Sequence, residues 1–159
     1  MVKIILAVDG SGPSLSAAHA VIKHRAMFSA PVEIYIVHVA APIPKLYGLH
    51  VVVDSATLER IIKEDAKQAT LGSEMLFEKW GVACKVHNFV GEVAHMINDF
   101  AESQDADFIY VGTHGRGSML STISSALRGA LLGSTTLKLL HTAKIPVVVI
   151  HSSESTVDA

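Results

Sequence analysis

Lys3-Ile4-Ile5-Leu6-Ala7-Val8-Asp9-Gly10-Ser11-Gly12-Pro13, near the start of the chain, decides the fold class. Ile4 to Val8 is an unbroken apolar run, and a strand of that kind is covered on both faces. Asp9-Gly10 breaks it. Ser11-Gly12-Pro13 then opens a helix, with a hydroxyl at the cap and a proline in the first turn. A buried strand passing straight into a helix is the opening half of a βαβ unit.

The same alternation continues outward. Leu15, Ala18, Ile22 and Ala26 give the first helix an apolar stripe, and Ile34 to Val39 reads as the second strand. A loop with Pro42, Pro44 and Gly48 follows. Asp54 caps a long second helix whose apolar positions are Leu58, Ile61, Ile62, Ala69, Leu76 and Trp80, with Gly81 as its left-handed stop. Cys84 to Val90 reads as the third strand. Val93, Ile97 and Phe100 mark a third helix, Phe108 to Val111 the fourth strand and Val147 to Ile150 the fifth. A helix over about 135–141 precedes Pro146. Strands alternating with helices imply a parallel sheet with right-handed crossovers. The expectation is one doubly wound α/β domain over residues 1–151, with 152–159 as a flexible tail.

Composition narrows the function. The chain has 159 residues and a net charge of -2, which argues against generic attraction to nucleic acid or anionic lipid. Cys84 is the single cysteine, so an intramolecular disulfide is excluded. No apolar stretch approaches the roughly 20 residues that span a bilayer. The first strand is broken too early for a signal peptide. The expected setting is cytoplasmic.

Ligands of open α/β sheets bind beyond the carboxyl ends of the strands, where the strand order reverses. Two strand ends here carry unusual residues, Asp9-Gly10-Ser11 after the first strand and Gly112-Thr113-His114-Gly115-Arg116-Gly117-Ser118 after the fourth. Gly133-Ser134-Thr135 is a third cluster, just before the last helix. Glycines let backbone amides approach an anion, and a helix N-terminus adds its positive dipole end. The same glycines also serve simply to turn the chain. Neither GxGxxG nor GxxxxGK[ST] is present.

These strings resemble the universal stress protein family, in its ATP-binding form. The resemblance is carried by "ILAVDGS", "VHV", "ADFIYVGTHGRG" and "LLGSTTLKLLHTAKIPVVVI", in that order from Lys3 to Ile150. It implies a five-stranded parallel sheet in the order 3-2-1-4-5. It also implies an adenine nucleotide, ATP or AMP with or without Mg, bound at the top of the sheet. Carried over by position, Asp9 faces the adenine or ribose. Ala7, Val8 and Val39 line the base pocket, and Val111 and Gly112 flank the ribose. Gly115, Arg116, Gly133, Ser134 and Thr135 hold the phosphates. Asp9 has a second reading as a helix-capping carboxylate, and Arg116 as a solvated loop cation. His114 could meet a phosphate or shape the turn. One departure stands out: seventeen residues, 116–132, separate Gly115 from Gly133, where the family pattern has nine. Met119, Leu120, Ile123, Leu127 and Leu131 recur at helical spacing in this insertion and predict a short separate helix.

The remaining chemistry-bearing residues read as structural. The nine histidines show neither HxH nor HExxH spacing, so no metal is expected. His38 reads as a satisfied core histidine and Cys84 as an inert strand residue. Glu59, Glu64 and Asp65, interleaved with Arg60, Lys63 and Lys67, read as a solvated helix face. Ser11, Ser118 and Ser134 lack a GxSxG elbow. With no dedicated general base and no fixed lysine, the expected activity is nucleotide-dependent regulation with at most slow ATP hydrolysis. A member acting through protein contacts alone is the alternative, and an enzyme of the adenine-nucleotide hydrolase kind lacks its SGGxDS-like string. The last strand, Val147, Val148, Val149 and Ile150, should pair with its twin in a homodimer. No nucleic-acid or membrane partner is expected.

Overall fold

The computed structural model describes residues 1–42, 54–115 and 132–152. The strands are β1 (Val2–Ala7), β2 (Val32–Ala40), β3 (Lys85–Val90), β4 (Phe108–Gly112) and β5 (Val147–Ile150). The helices are α1 (Gly12–His24), followed by a 3-10 turn at Arg25–Met27, then α2 (Ser55–Lys79), α3 (Val93–Ser103) and α4 (Ser134–Thr142). The sheet runs β3-β2-β1-β4-β5, and every neighbouring pair is parallel. The register sets Ile5 beside both Tyr35 and Ile109, so β1 lies at the centre. Chain order reverses between β1 and β4. The fold class and strand order expected from sequence are the ones found.

Two apolar layers flank the sheet because each central strand is apolar on both faces. Ile4, Leu6, Ile34 and Ile36 meet Ala17, Ala18 and Val21 of α1 and Phe77 of α2 on one face. Ile5, Val37, Ile109 and Val111 meet Ala94, Ile97 and Ala101 of α3 and Leu139 of α4 on the other. Each fully buried Ile, Leu or Phe contributes roughly 1.5–3 kcal/mol by leaving water.

The helices reach the sheet through small residues. The buried face of α1 is Ser14, Ala17, Ala18 and Val21, while Leu15 is 37% exposed. That of α2 is Ala66, Ala69, Thr70, Ser73 and Phe77, and Ile61 and Trp80 lie outside. The stripes expected from the bulky residues are therefore rotated. Small side chains let a helix axis sit close to the strands, and the larger neighbours are displaced to its flanks.

The ends of the helices follow local chemistry. Ser11 Oγ accepts the Ser14 N–H at 3.3 Å, with Pro13 in the first turn. Asp54 caps α2 by accepting from Thr57 N–H at 2.8 Å. Gly81, at φ +60, takes the left-handed position after α2. Glu92 caps α3, accepting from His95 N–H at 2.9 Å. His24 Nδ1 lies 3.1 Å from the Tyr110 hydroxyl, tying the end of α1 to β4. Cys84 stands just before β3 rather than in it, and burial pushes its thiol up, away from the reactive thiolate. The insertion expected to form its own helix lies outside the described residues, as do 153–159 of the tail.

Candidate functional site

The carboxyl ends of β1, β2 and β4 open into one cleft of about 580 Å³. It sits over the reversal in strand order, because β2 departs to one side of β1 and β4 to the other. Ala7, Val8 and Asp9 come from the end of β1, and Val37 to Ala41 from the end of β2. Val111, Gly112, His114 and Gly115 come from the end of β4, and Thr135 and Thr136 from the first turn of α4. Val93 and Ile97 of α3 and Asp65 of α2 complete the walls.

The two ends of the cleft differ in chemistry. On the β2 side the walls are Val37, Val39, Ala40 and Ala41, a slot of apolar side chains. On the β4 side they are glycines, hydroxyls and a helix N-terminus. Helix α4 starts at Gly133 without a side-chain cap, so the first-turn amides face the cleft end unsatisfied by any capping side chain. Gly133 itself donates its N–H to the Thr113 carbonyl at 2.7 Å. What α4 offers an anion is thus the turn that follows Gly133, with the hydroxyl of Thr135 beside it. Thr136 is committed, donating its hydroxyl to the Gly112 carbonyl at 2.9 Å.

Asp9 stands between these ends. Its Oδ1 accepts from Ser11 N–H at 3.0 Å, which folds the loop back towards the cap of α1. The position a Gly115 side chain would occupy lies 2.6 Å from Asp9 Oδ2, so the β4 loop closes onto this carboxylate. Ser11 Oγ also donates to the His114 carbonyl at 3.4 Å. The loop-shaping and cleft-lining readings of Asp9 both describe the same side chain. His114 Nδ1 lies 2.8 Å from Thr113 Oγ1, while its buried Nε2 has no partner, an unsatisfied polar atom in a residue of the cleft wall.

Of the residues expected from sequence, Ala7, Val8, Asp9, Val39, Val111, Gly112, Gly115 and Thr135 all line this one cleft. Gly133 and Ser134 are the cap and first residue of α4, next to Thr135, and are not among the lining residues. Arg116 lies outside the described residues. Two functional candidates escaped the sequence reading. His38 is indeed a satisfied core histidine, 3% exposed, with Nδ1 3.1 Å from the Val8 carbonyl. It also lines the cleft. Its Nε2 lies 3.1 Å from Asp65 Oδ2, so Asp65 belongs to the cleft wall and not to a solvated helix face. The signal was present: Ile62, Asp65, Ala69 and Ser73 recur at three and four along the inner edge of α2. Among the described residues no cluster of three or more His, Cys, Asp or Glu is set to hold a metal, and no helix is long and apolar enough to cross a membrane.

A parallel sheet with a cleft at its point of reversal defines an open doubly wound α/β domain, a class whose ligands lie at that reversal. Comparison sharpens that class. The profile of the Universal stress protein family matches residues 1–151, and the chain belongs to this family. It is 31% identical over 148 residues to universal stress protein MJ0531 of Methanocaldococcus jannaschii, covering 93% of this chain and 81% of that protein. The solved structure of hypothetical protein MJ0577 superposes with a TM-score of 0.73 at 24% identity, over 96% of this chain and 97% of that one. A universal stress protein family protein from Arabidopsis thaliana, solved with AMP bound, superposes with a TM-score of 0.63 at 14% identity, over 97% and 94%. Other solved relatives of the same fold are complexes with cAMP and with dAMP.

Proposed function

We propose that the cleft binds an adenine nucleotide, ATP or AMP, and that the chain acts as a nucleotide-responsive regulatory module of the stress response. The observation that carries this reading is the polarity of the cleft, with an apolar slot at the β2 end and a glycine turn facing a helix N-terminus at the β4 end. A flat aromatic base suits the slot, and phosphate oxygens suit amides at a helix N-terminus. Asp9, between the two, is the residue we assign to the ribose hydroxyls or the base. The relatives solved with AMP, cAMP and dAMP support the same ligand class. Arg116, Gly115, Ser134 and Thr135 are the residues we assign to the phosphates, with Mg as counter-ion if the ligand is ATP. No general base is assigned, so occupancy rather than turnover carries the signal.

Two measurements test this. Acid extraction of the purified protein followed by chromatography should release AMP or ATP. Calorimetry on Asp9→Ala should show nucleotide binding weakened by about 1.5–3 kcal/mol, the value of a hydrogen bond to a charged group, or roughly tenfold and more. An unchanged dissociation constant would remove Asp9 from the site.

We further propose a homodimer through β5. This strand closes one edge of the sheet, pairing with β4 alone among the described strands, and Val147 to Ile150 remain only half-buried there. An apolar open edge calls for a cover. Light scattering should give the mass of a dimer, and Val148→Lys should give monomer or insoluble material. The domain limits follow the same reading, with 1–151 as the nucleotide-binding unit.

A further inference from the structure

A second concavity lies away from the cleft, at the other end of the sheet. Helix α1 begins at Ser11, beside the cleft loops. Its exit reaches the start of β4, where the rings of Phe28 and Phe108 stand 5.7 Å apart. There the ends of α1 and α2 enclose a groove of about 690 Å³, lined by His19, Ile22, Lys23, Arg25, Ala26 and Trp80. Ile22 packs on the buried core behind it. Trp80, the chain's single tryptophan, is 56% exposed. Met27, next to Ala26, is exposed as well. A cation in the last turn of a helix is ordinary, and Lys23 alone would only complement the α1 dipole. Arg25 and His19 add basic groups to the same groove, yet no Asp or Glu lines it among the described residues. Nor does a described carboxylate pair with Lys23 or Arg25, whereas Lys85, Lys138 and Lys144 each hold one. In a chain of net charge -2 this is a local excess of positive charge.

We infer that this groove docks an acidic peptide segment of a partner protein. The segment sets an apolar side chain against Trp80 and Ile22 and its carboxylates against Lys23 and Arg25. Tryptophan and arginine are the side chains that most often carry the binding energy of an interface, and here both line one concavity. Lys23 and Arg25 supply charge that chooses the partner and speeds encounter more than it adds affinity. A nucleic acid or an anionic membrane calls for a broad positive field, which this chain does not offer. A short acidic segment needs only the cations at hand. The groove shares no lining residue with the cleft, so the inference is independent of the nucleotide reading.

Trp80 fluorescence reads the groove directly, since the chain has no other tryptophan. The probe is the synthetic peptide Asp-Glu-Asp-Leu-Phe-Asp-Glu-Asp, set against its amide counterpart Asn-Gln-Asn-Leu-Phe-Asn-Gln-Asn. Titrating the intact protein with the acidic peptide should move the emission to shorter wavelength and saturate. The amide peptide should bind roughly tenfold more weakly, as for several exposed ion pairs lost together. The double substitution Lys23→Glu and Arg25→Glu should weaken the acidic peptide at least as much, and added salt should narrow the gap between the two peptides. Trp80→Ala, followed by calorimetry, should lose the acidic peptide. Far-ultraviolet dichroism of each variant separates a lost site from a lost fold, and the comparison of the two peptides needs no variant. Equal binding of the two peptides overturns the inference, as does full affinity for the acidic one in the double variant. An emission unmoved by acidic peptide at about millimolar concentration also overturns it. So does a single-stranded oligothymidylate or a phosphatidylserine vesicle that engages Trp80 in place of the peptide. Light scattering in which the double variant changes oligomeric mass would assign the groove to a second copy of the chain instead.

Discussion

The loop after β1 and the loop after β4 meet over the centre of the sheet, and they are held in opposite ways. The first is anchored by its own neighbourhood and by α2. Asp9 accepts from Ser11 N–H, Ser11 caps α1, and Gly10 rests on the α2 backbone. The second borrows its shape. Gly115 lies on Asp9, the His114 carbonyl accepts from Ser11, and the Thr113 carbonyl accepts from Gly133. The β1 side is a template, and the β4 side is moulded on it and on α4. One wall of the cleft is thus fixed next to its own strand, and the other by contacts that come from elsewhere. The comparison also separates two uses of glycine that look identical in sequence.

Gly112 and Gly115 break that comparison most sharply. A side chain on Gly112 would lie 2.6 Å from the Pro13 carbonyl carbon and 2.7 Å from its oxygen. Backbone on both sides leaves nothing to swing aside, so α1 and β4 must part. Gly112→Ala should cost about 1–3 kcal/mol of stability, as for overpacking, and a lowered urea midpoint with unchanged slope checks it. Retained stability would mean that the β4 end yields more readily than its contacts imply. Gly115 differs. Among the described residues its added side chain would meet the Asp9 carboxylate, at 2.6 Å, the movable end of a side chain. Gly115→Ala should leave the unfolding free energy within about 0.5 kcal/mol, as for a surface change, yet weaken AMP several-fold by pushing Asp9 off its place. If both variants lose stability equally, the two loops are not differently held.

The alternation of apolar runs and capped helices was enough to read a parallel sheet, because strands covered on both faces are apolar throughout; the order of its strands came from the family resemblance. It was not enough to read which face of each helix turns inward. Leu15, Ile61 and Trp80 looked like core by size, but close helix–sheet approach selects Ser14, Ala17, Ala66 and Ser73 instead. The cleft was legible where the chain must turn, at Asp9, Gly112 and Gly115, since special backbone demands leave a mark in composition. It was illegible at Asp65. A carboxylate among charged neighbours on a long helix looks solvated, and only the three-dimensional pairing of β2 with α2 brings it to His38. Likewise the glycines of the β4 turn are needed for chain packing before any ligand is considered, which composition alone could not separate.

The β4 side rests in the end on the seam between α3 and α4, and its outermost tie gives a small, pH-sensitive effect. Glu92 caps α3 and pairs with Lys138 of α4 at 3.1 Å. The His95 N–H bond, helped by Lys138 and opposed by burial, holds its carboxyl below the usual range. A carboxyl depressed in the folded state contributes stability that is fully present above its unfolded value, near 4.5, and is lost as pH falls through its folded value. The side chain is 48% exposed, so solvent screens the ion pair and the cap supplies most of the effect. Glu92→Ala should therefore cost at most about 1 kcal/mol at pH 7. Urea titrations repeated downward from pH 7 should show the two proteins drawing together as the pH falls below 4.5, as the wild type loses an interaction that the variant never had. A gap that stays constant into strong acid would show that the carboxylate charge is not what holds α3, and that the moulded wall is fixed by the packing of Ile97 and Leu139 alone.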